Sequence, residues 1–156
     1  MGLSKLSRLT TNGPVQMHVY LETFDATDNW AYALYDSFQI TDSTDNYRLI
    51  LSGYSGTAGD GMGETGQTAN NMPFTTRDRD NDMYTNRFAE DNCAIRTKGA
   101  WWYNSCHDAN LNGLYLGGVH TSYGDGINWV PYAGDYYSPQ STRRRPHLRR
   151  SANMNE

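Results

Sequence analysis

Three aspartates alternate along one short run, Asp78-Arg79-Asp80-Asn81-Asp82, and the chain's two cysteines, Cys93 and Cys106, come soon after it. Trp101-Trp102-Tyr103 lies between the cysteines, and His107 follows the second. Carboxylates on alternate residues can converge on a hard cation such as calcium, which takes roughly six to eight oxygen ligands. The bland alternative is a solvated acidic loop. An EF-hand fails on spacing: with Asp78 first, Met83 falls where that loop needs glycine and Ala89 where it needs glutamate. The cysteines suit a disulfide in an oxidising compartment, worth about 3 kcal/mol by the chain-entropy model, or else a pair of free thiols. A cation, a covalent staple and an aromatic wall describe a rigid recognition surface better than a reacting centre. His18 and His120 have the wrong spacing for zinc, and no nucleophile–base pair stands in a recognisable context, so the expectation is that this is not an enzyme.

These residues need elements to position them. Leu3, Leu6 and Leu9 predict a short amphipathic helix ended by Asn12-Gly13-Pro14. Val15, Met17, Val19 and Leu21 alternate with polar neighbours and predict a strand. After the polar turn Asp25–Asn29, Trp30–Phe38 and Tyr47–Ser52 predict two more strands of a meander. From Gly53 onward glycines crowd a polar stretch, the mark of turns, and regular structure becomes sparse. The predicted division is a sheet part over 14–55, a loop-rich part over 56–138 and an arginine-rich tail over 139–156.

With 156 residues the chain is one domain's worth. Aromatics reach 13%, with twelve Tyr and four Trp spread through the loops, so those loops should be packed rather than free. The formal charge of −4 hides an asymmetry. Setting aside Arg143, Arg144, Arg145, Arg149, Arg150 and Glu156 leaves eight basic against sixteen acidic residues, a body near −8. The arginine cluster lacks interleaved aromatics and sits on a body that repels phosphates, so nucleic acid is not an expected partner. It reads as a solvated tail or one folded back on the acidic body. No stretch approaches the roughly 18 apolar residues of a membrane span. Met1–Lys5 leads into a polar amphipathic segment rather than an apolar leader; if the domain is secreted, the leader lies outside this sequence.

The order of motifs resembles the fibrinogen C-terminal domain, the module of ficolins, tachylectins, angiopoietins, tenascins and fibrinogen chains. The resemblance is carried by Tyr35-Asp36-Ser37-Phe38, Asp45-Asn46-Tyr47, Gly53-Tyr54-Ser55-Gly56-Thr57-Ala58-Gly59-Asp60, Phe74-Thr75-Thr76, Asp78–Asp82, Asn92-Cys93-Ala94, Gly99-Ala100-Trp101-Trp102-Tyr103, Cys106-His107, Asn110-Leu111-Asn112-Gly113 and Asp125-Gly126-Ile127-Asn128-Trp129. It spans about residues 3–138. It implies an α+β fold, a small antiparallel sheet with short helices followed by a loop-rich, disulfide-stapled calcium-binding lobe. Both ends depart from it. The family's opening disulfide-bonded subdomain precedes the position of Leu3. Its closing apolar strand is replaced by Pro139–Pro146, whose arginines and proline suit no buried central strand. Either the sheet is smaller or a second copy completes it, so a homo-oligomer is a live expectation.

The resemblance also implies roles. Calcium would be held by Asp80 and Asp82, with main-chain carbonyls near Tyr84 and Asn86. The segment from Thr85 to Asp91 looks like an insertion that could shift those carbonyls or bring Glu90 or Asp91 into the set. The bond Ser105–Cys106 is expected to be cis. In the acetyl-binding lectins of the family, a methyl group enters an aromatic funnel beside that bond. His107 and Tyr123 match funnel residues; Thr97 and Asp135 stand where the family has tyrosines, and Gly124 where it has a small alanine. The hollow should therefore be wider and more polar, and should bind simple N-acetyl sugars weakly. His107 could equally be a core histidine, and Tyr123 packed rather than exposed. Trp101 and Trp102 are expected in the core.

Two functions follow as expectations. The first is a secreted, calcium-binding, lectin-like pattern-recognition domain of innate immunity, directed at microbial cell-wall glycans such as acetylated sugars, peptidoglycan or lipoteichoic acid. The second is a protein-binding module for a receptor or matrix partner, without sugar binding.

Overall fold

The computed structural model describes residues 2–13, 15–24, 30–63, 66–85 and 91–148. The amphipathic opening forms helix α1 (Leu3–Thr11), but its buried side is not the leucine stripe. Leu3 and Leu6 pack on the core, Leu9 is exposed, and Ser7 and Thr10 are buried in its place. At about 100° per residue, positions 3, 6, 7 and 10 share one side while position 9 swings off it. Thr10 Oγ1 donates to the Ser7 carbonyl (3.1 Å) and accepts from the Ile40 N–H (3.0 Å), which fixes the helix to the sheet.

The meander is present as β1 (Val15–Glu22), β2 (Trp30–Ile40) and β3 (Leu49–Gly56), all antiparallel. Val15, Met17, Val19 and Leu21 bury one face of β1, as their alternation predicts. β3 starts later than predicted because Asn46 and Tyr47 take left-handed backbone (φ 52° and 53°) and close a 3-10 turn over Ser43–Asp45. In β2 the buried alternation slips at Asp36-Ser37, so that Ala31, Ala33 and Tyr35 and then Phe38 and Ile40 are buried. Gly53 in β3 holds φ +73°, and a Cβ there would stand 2.7 Å from the Asp36 Cβ, so only glycine fits. The predicted turn at Asp25–Asn29 lies outside the described residues.

The loop-rich half carries short elements: α2 (Cys93–Arg96), β4 (Ala109–Asn110), β5 (Gly118–Val119), β6 (Asn128–Trp129), α3 (Val130–Ala133) and β7 (Tyr137–Ser138). Its loops are packed by aromatics, as their density predicts. Trp101, Trp102, Tyr103 and Trp129 are buried, and the polar ends of all but Trp101 are used. The indole N–H of Trp102 donates to the Tyr47 carbonyl (2.8 Å) and that of Trp129 to the Gly59 carbonyl (2.9 Å). The Tyr103 hydroxyl donates to Asn110 Oδ1 (2.8 Å), and the Asn110 amide donates to the carbonyls of Thr97 and Gly126. Irregular chain is thus stitched by buried side chains where no ladder exists.

The reading of 139–156 as a tail is corrected over most of its described length. Residues 141–148 form β8 (Ser141–Leu148), paired antiparallel along the whole of β1, and the sheet order is β3-β2-β1-β8. Arg143, Arg144 and Pro146 are tolerated because the strand is at an edge, where a proline breaks no inner ladder and charged side chains reach water. Ser141 Oγ donates to Glu22 Oε2 (2.8 Å) at the entry of the strand. Arg144 folds over an aromatic ring rather than an acid: its guanidinium lies 5.7 Å from the Trp101 ring and donates to Asn112 Oδ1 (3.0 Å). Beneath it, an apolar hollow of about 520 Å3 lies among Leu3, Leu6, Phe38, Trp101 and Trp102. The fourth strand of the sheet comes from the same chain. Residues 149–156 lie outside the described residues. No helix among the described residues is long and apolar enough to cross a membrane.

Candidate functional site

Two loops and a disulfide build the site. Cys93 opens α2, whose N-terminus is capped by Asn92: its Oδ1 accepts from the N–H groups of Ala94 (2.7 Å) and Ile95 (3.2 Å). Cys93 is bonded to Cys106 across 5.5 Å between Cα atoms, which settles the choice between disulfide and free thiols. The bond Ser105–Cys106 is cis, as the resemblance implies.

The acidic loop is tied to both arms of that bridge. Asp82 Oδ2 accepts from the Cys93 N–H (2.8 Å), and its Oδ1 accepts from the Tyr84 N–H (2.9 Å). The Met83 N–H donates to the Asn104 carbonyl (3.0 Å), just before the cis bond. Asp80 Oδ1 accepts from the Asp82 N–H (3.1 Å). Burial, with Asp80 close by, pushes the Asp82 carboxyl up to about 6, although its two backbone donors pull the other way. Two adjacent carboxylates, one half-buried and without an ion pair among the described residues, make a donor set that fits a hard divalent cation. No group of three or more His, Cys, Asp or Glu side chains among the described residues could hold a metal, so the remaining ligands of such an ion would be carbonyls and water. Of the other expected ligands, Tyr84 lies beside Asp82, which accepts from its N–H; Asn86 and Glu90 lie outside the described residues, and Asp91 is exposed.

Beside this loop opens a hollow of about 500 Å3. The structure brings together there all six residues expected of the ligand site: Thr97, Cys106, His107, Tyr123, Gly124 and Asp135. His107 donates from Nε2–H to the Gly124 carbonyl (2.8 Å), and its Nδ1 is buried without a partner among the described residues. Burial holds its pKa below the usual histidine value, so at neutral pH the ring is uncharged. It is therefore neither a satisfied core histidine nor a cation. Thr97 contributes less polarity than its type suggests, because its hydroxyl is committed to the Cys93 carbonyl (2.8 Å) at the end of α2. Tyr123 is 65% exposed and meets Tyr136 edge to face at 5.6 Å. Gly124 holds φ +64°; a Cβ there would sit 3.6 Å from His107 Nε2 and 3.8 Å from Asp135 Oδ1, so the three residues converge on one point. Burial raises the Asp135 carboxyl pKa, and the Asp135 charge in turn raises that of the Tyr123 hydroxyl.

Sequence reasoning missed four residues of this hollow that matter: Tyr84 as a wall, Arg96, Asp108 and Gln67. The Arg96 guanidinium lies over the Tyr84 ring at 4.7 Å. Gln67 braces the floor from a distant loop, its N–H donating to Asp108 Oδ2 (2.8 Å) and its Oε1 accepting from the Ser105 N–H (3.1 Å). Arg96 and Asp108 were visible as the chain neighbours of Thr97 and His107. Nothing local in sequence marks Gln67.

Comparison with known proteins agrees with this architecture. The model of the "Fibrinogen beta and gamma chains, C-terminal globular domain" family matches residues 1–147. Fibrinogen C domain-containing protein 1 of Macaca fascicularis is 44% identical over 143 residues, covering 88% of this chain and 31% of that protein. The protein of the same name from Xenopus tropicalis is 40% identical over 158 residues, covering 98% of this chain and 32% of its own length. The chain thus spans about a third of the curated relatives it matches. Among solved structures, the fibrinogen-like globe domain of human ANGPTL6 superposes with a TM-score of 0.84 at 36% identity, over 96% of this chain and 63% of that one. A lamprey fibrin D-dimer complexed with the peptide Gly-His-Arg-Pro-amide gives 0.81 at 29% identity, over 99% and 53%. Fibrinogen C domain proteins are generally non-enzymatic binding modules, and these matches indicate no enzyme family. On the family match, the relatives and the shared fold together, the chain belongs to the fibrinogen C-terminal globular domain family.

Proposed function

We propose that this domain is a secreted, calcium-supported recognition module that binds microbial surface glycans, such as acetylated sugars, peptidoglycan or lipoteichoic acid, in innate immunity. The observation that carries the reading is the hydrogen-bonded continuity between the acidic loop and the hollow. Asp82 holds the Tyr84 and Cys93 N–H groups, and Tyr84 is itself a wall of the hollow. A calcium ion at Asp80 and Asp82 would supply the positive charge that these adjacent carboxylates lack. Tyr123 and Tyr136 expose ring surface for the apolar face of a sugar, while the Asp135 carboxylate offers acceptors to its hydroxyls. One such shallow site binds weakly, and useful affinity would come from several domains acting together. The test is retention of the domain on insoluble peptidoglycan in calcium, in EDTA, and for Asp80→Ala. Retention in calcium and loss in the other two supports the reading; equal retention in all three refutes calcium support.

A protein-binding role is favoured by one observation: Asp108 and Asp135 make the hollow acidic. The lamprey fibrin D-dimer, similar in fold, is described with a basic peptide bound. Competition of that peptide for the hollow, with no signal on a glycan array, would select this second reading.

A further inference from the structure

Asp135 brings a negative charge to the hollow, and no described residue answers it. Its carboxylate accepts no hydrogen bond and forms no ion pair among the described residues; only its main-chain carbonyl is used, by the Asn128 amide (3.0 Å). Arg96, the cationic residue lining the hollow, is laid over the Tyr84 ring instead. Asp108 adds a second carboxylate, one oxygen of which accepts from the Gln67 N–H. The neutral His107 ring spends its one N–H on the Gly124 carbonyl, and its Nδ1 is buried away from the hollow, so the ring offers a ligand neither a donor nor a charge. The hollow therefore sets two carboxylates against one guanidinium.

A ligand group that satisfies such a site must donate several hydrogen bonds and carry positive charge. An acetamide gives one N–H and presents a carbonyl and a methyl, which leaves the Asp135 charge uncompensated in a partly desolvated place. An ammonium gives three donors and a full charge to the same carboxylate. Gly124 leaves room for it, since the missing Cβ would stand between His107 Nε2 and Asp135 Oδ1. The exposed pair Tyr123 and Tyr136 flanks that point with ring surface suited to a pyranose and unnecessary for a lysine side chain.

The geometry points to a hexosamine whose amine is free, not acetylated, as the preferred ligand of this hollow, with Asp135 as the residue that sets the preference. The inference rests on the glycan reading above and narrows it to one ligand class. The test is calorimetric titration of the chain, in calcium at about pH 6.5 where amines are charged. The probes are a short glucosamine oligomer, its fully N-acetylated counterpart and an oligolysine. The glucosamine oligomer should bind at least about tenfold more tightly than the acetylated one, the scale of one charge-assisted hydrogen bond. Asp135→Asn should erase that difference. Asp42→Asn, which removes the same charge elsewhere and keeps a helix cap, should preserve it. Tighter binding of the acetylated oligomer overturns the inference and leaves the glycan reading standing. Binding of neither oligomer overturns both. Loss in Asp42→Asn equal to that in Asp135→Asn assigns the effect to bulk charge and overturns it. Oligolysine binding with equal strength and equal dependence on Asp135 overturns the sugar assignment.

Discussion

Substituting Asp82 by Asn should cost more stability with calcium than without it. In the metal-free protein the ionised carboxylate is disfavoured by burial and by Asp80, yet it accepts two backbone N–H groups at 2.8 and 2.9 Å. Solvent reaches this half-buried group, so after screening the penalty of the ionised form is about 1 kcal/mol. The two bonds to a charged acceptor are worth roughly 1.5–3 kcal/mol each, and an amide oxygen in the same place keeps one of them at reduced strength. The balance is a loss, and the metal-free variant should lie roughly 1–4 kcal/mol below the parent. Calcium at a hundredfold excess over its Kd adds about 2.7 kcal/mol to the parent alone, or roughly 5–11 °C in Tm for a domain of this size. The assay is thermal unfolding of both proteins in EDTA and across a calcium series. A parent Tm that does not move with calcium, or a variant that moves as far as the parent, refutes the assignment of Asp82 to the ion.

Three further outcomes follow from the same geometry. Calcium affinity should fall by up to about tenfold per pH unit once the pH drops below about 6, because Asp82 must lose its proton to bind the ion; titrations at several pH values read this. His107, buried and held below its ordinary value of 6.5, gives stability that is complete above that pH and is lost as pH falls toward its depressed folded pKa. Denaturant unfolding at pH 7 and pH 5 should show the parent losing stability relative to His107→Gln, and equal losses would contradict the burial argument. Reducing the Cys93–Cys106 bridge should cost about 3 kcal/mol and also weaken ligand binding, since Asp82, Cys106 and the hollow share that frame.

How much of this was legible in sequence depends on what kind of interaction holds each part. The meander was legible because the alternation of Val15, Met17, Val19 and Leu21 is a property of the strand itself. Helix α1 was legible in extent but not in face: Ser7 and Thr10 are buried through bonds within the helix and to Ile40, and no hydropathy pattern records those. β8 was missed because Arg143-Arg144-Arg145-Pro146 carries the composition of a solvated tail, and its strand state comes wholly from pairing with β1. The six ligand-site residues were legible through matched motifs. Those motifs carry only family positions, and so Arg96, Asp108 and Gln67, which give this hollow its own charge and floor, lay outside them. Gln67 reaches the site from a loop far away in sequence, a relation that folding alone creates.

The most direct measurement is a crystal structure of the domain grown in calcium and soaked with a glucosamine oligomer. The account predicts one ion between Asp80 and Asp82 with the Tyr84 carbonyl in its shell, and a sugar amine on Asp135 beside His107 and Tyr123. An ion site left empty in ample calcium, or a sugar seated away from that hollow, would contradict it.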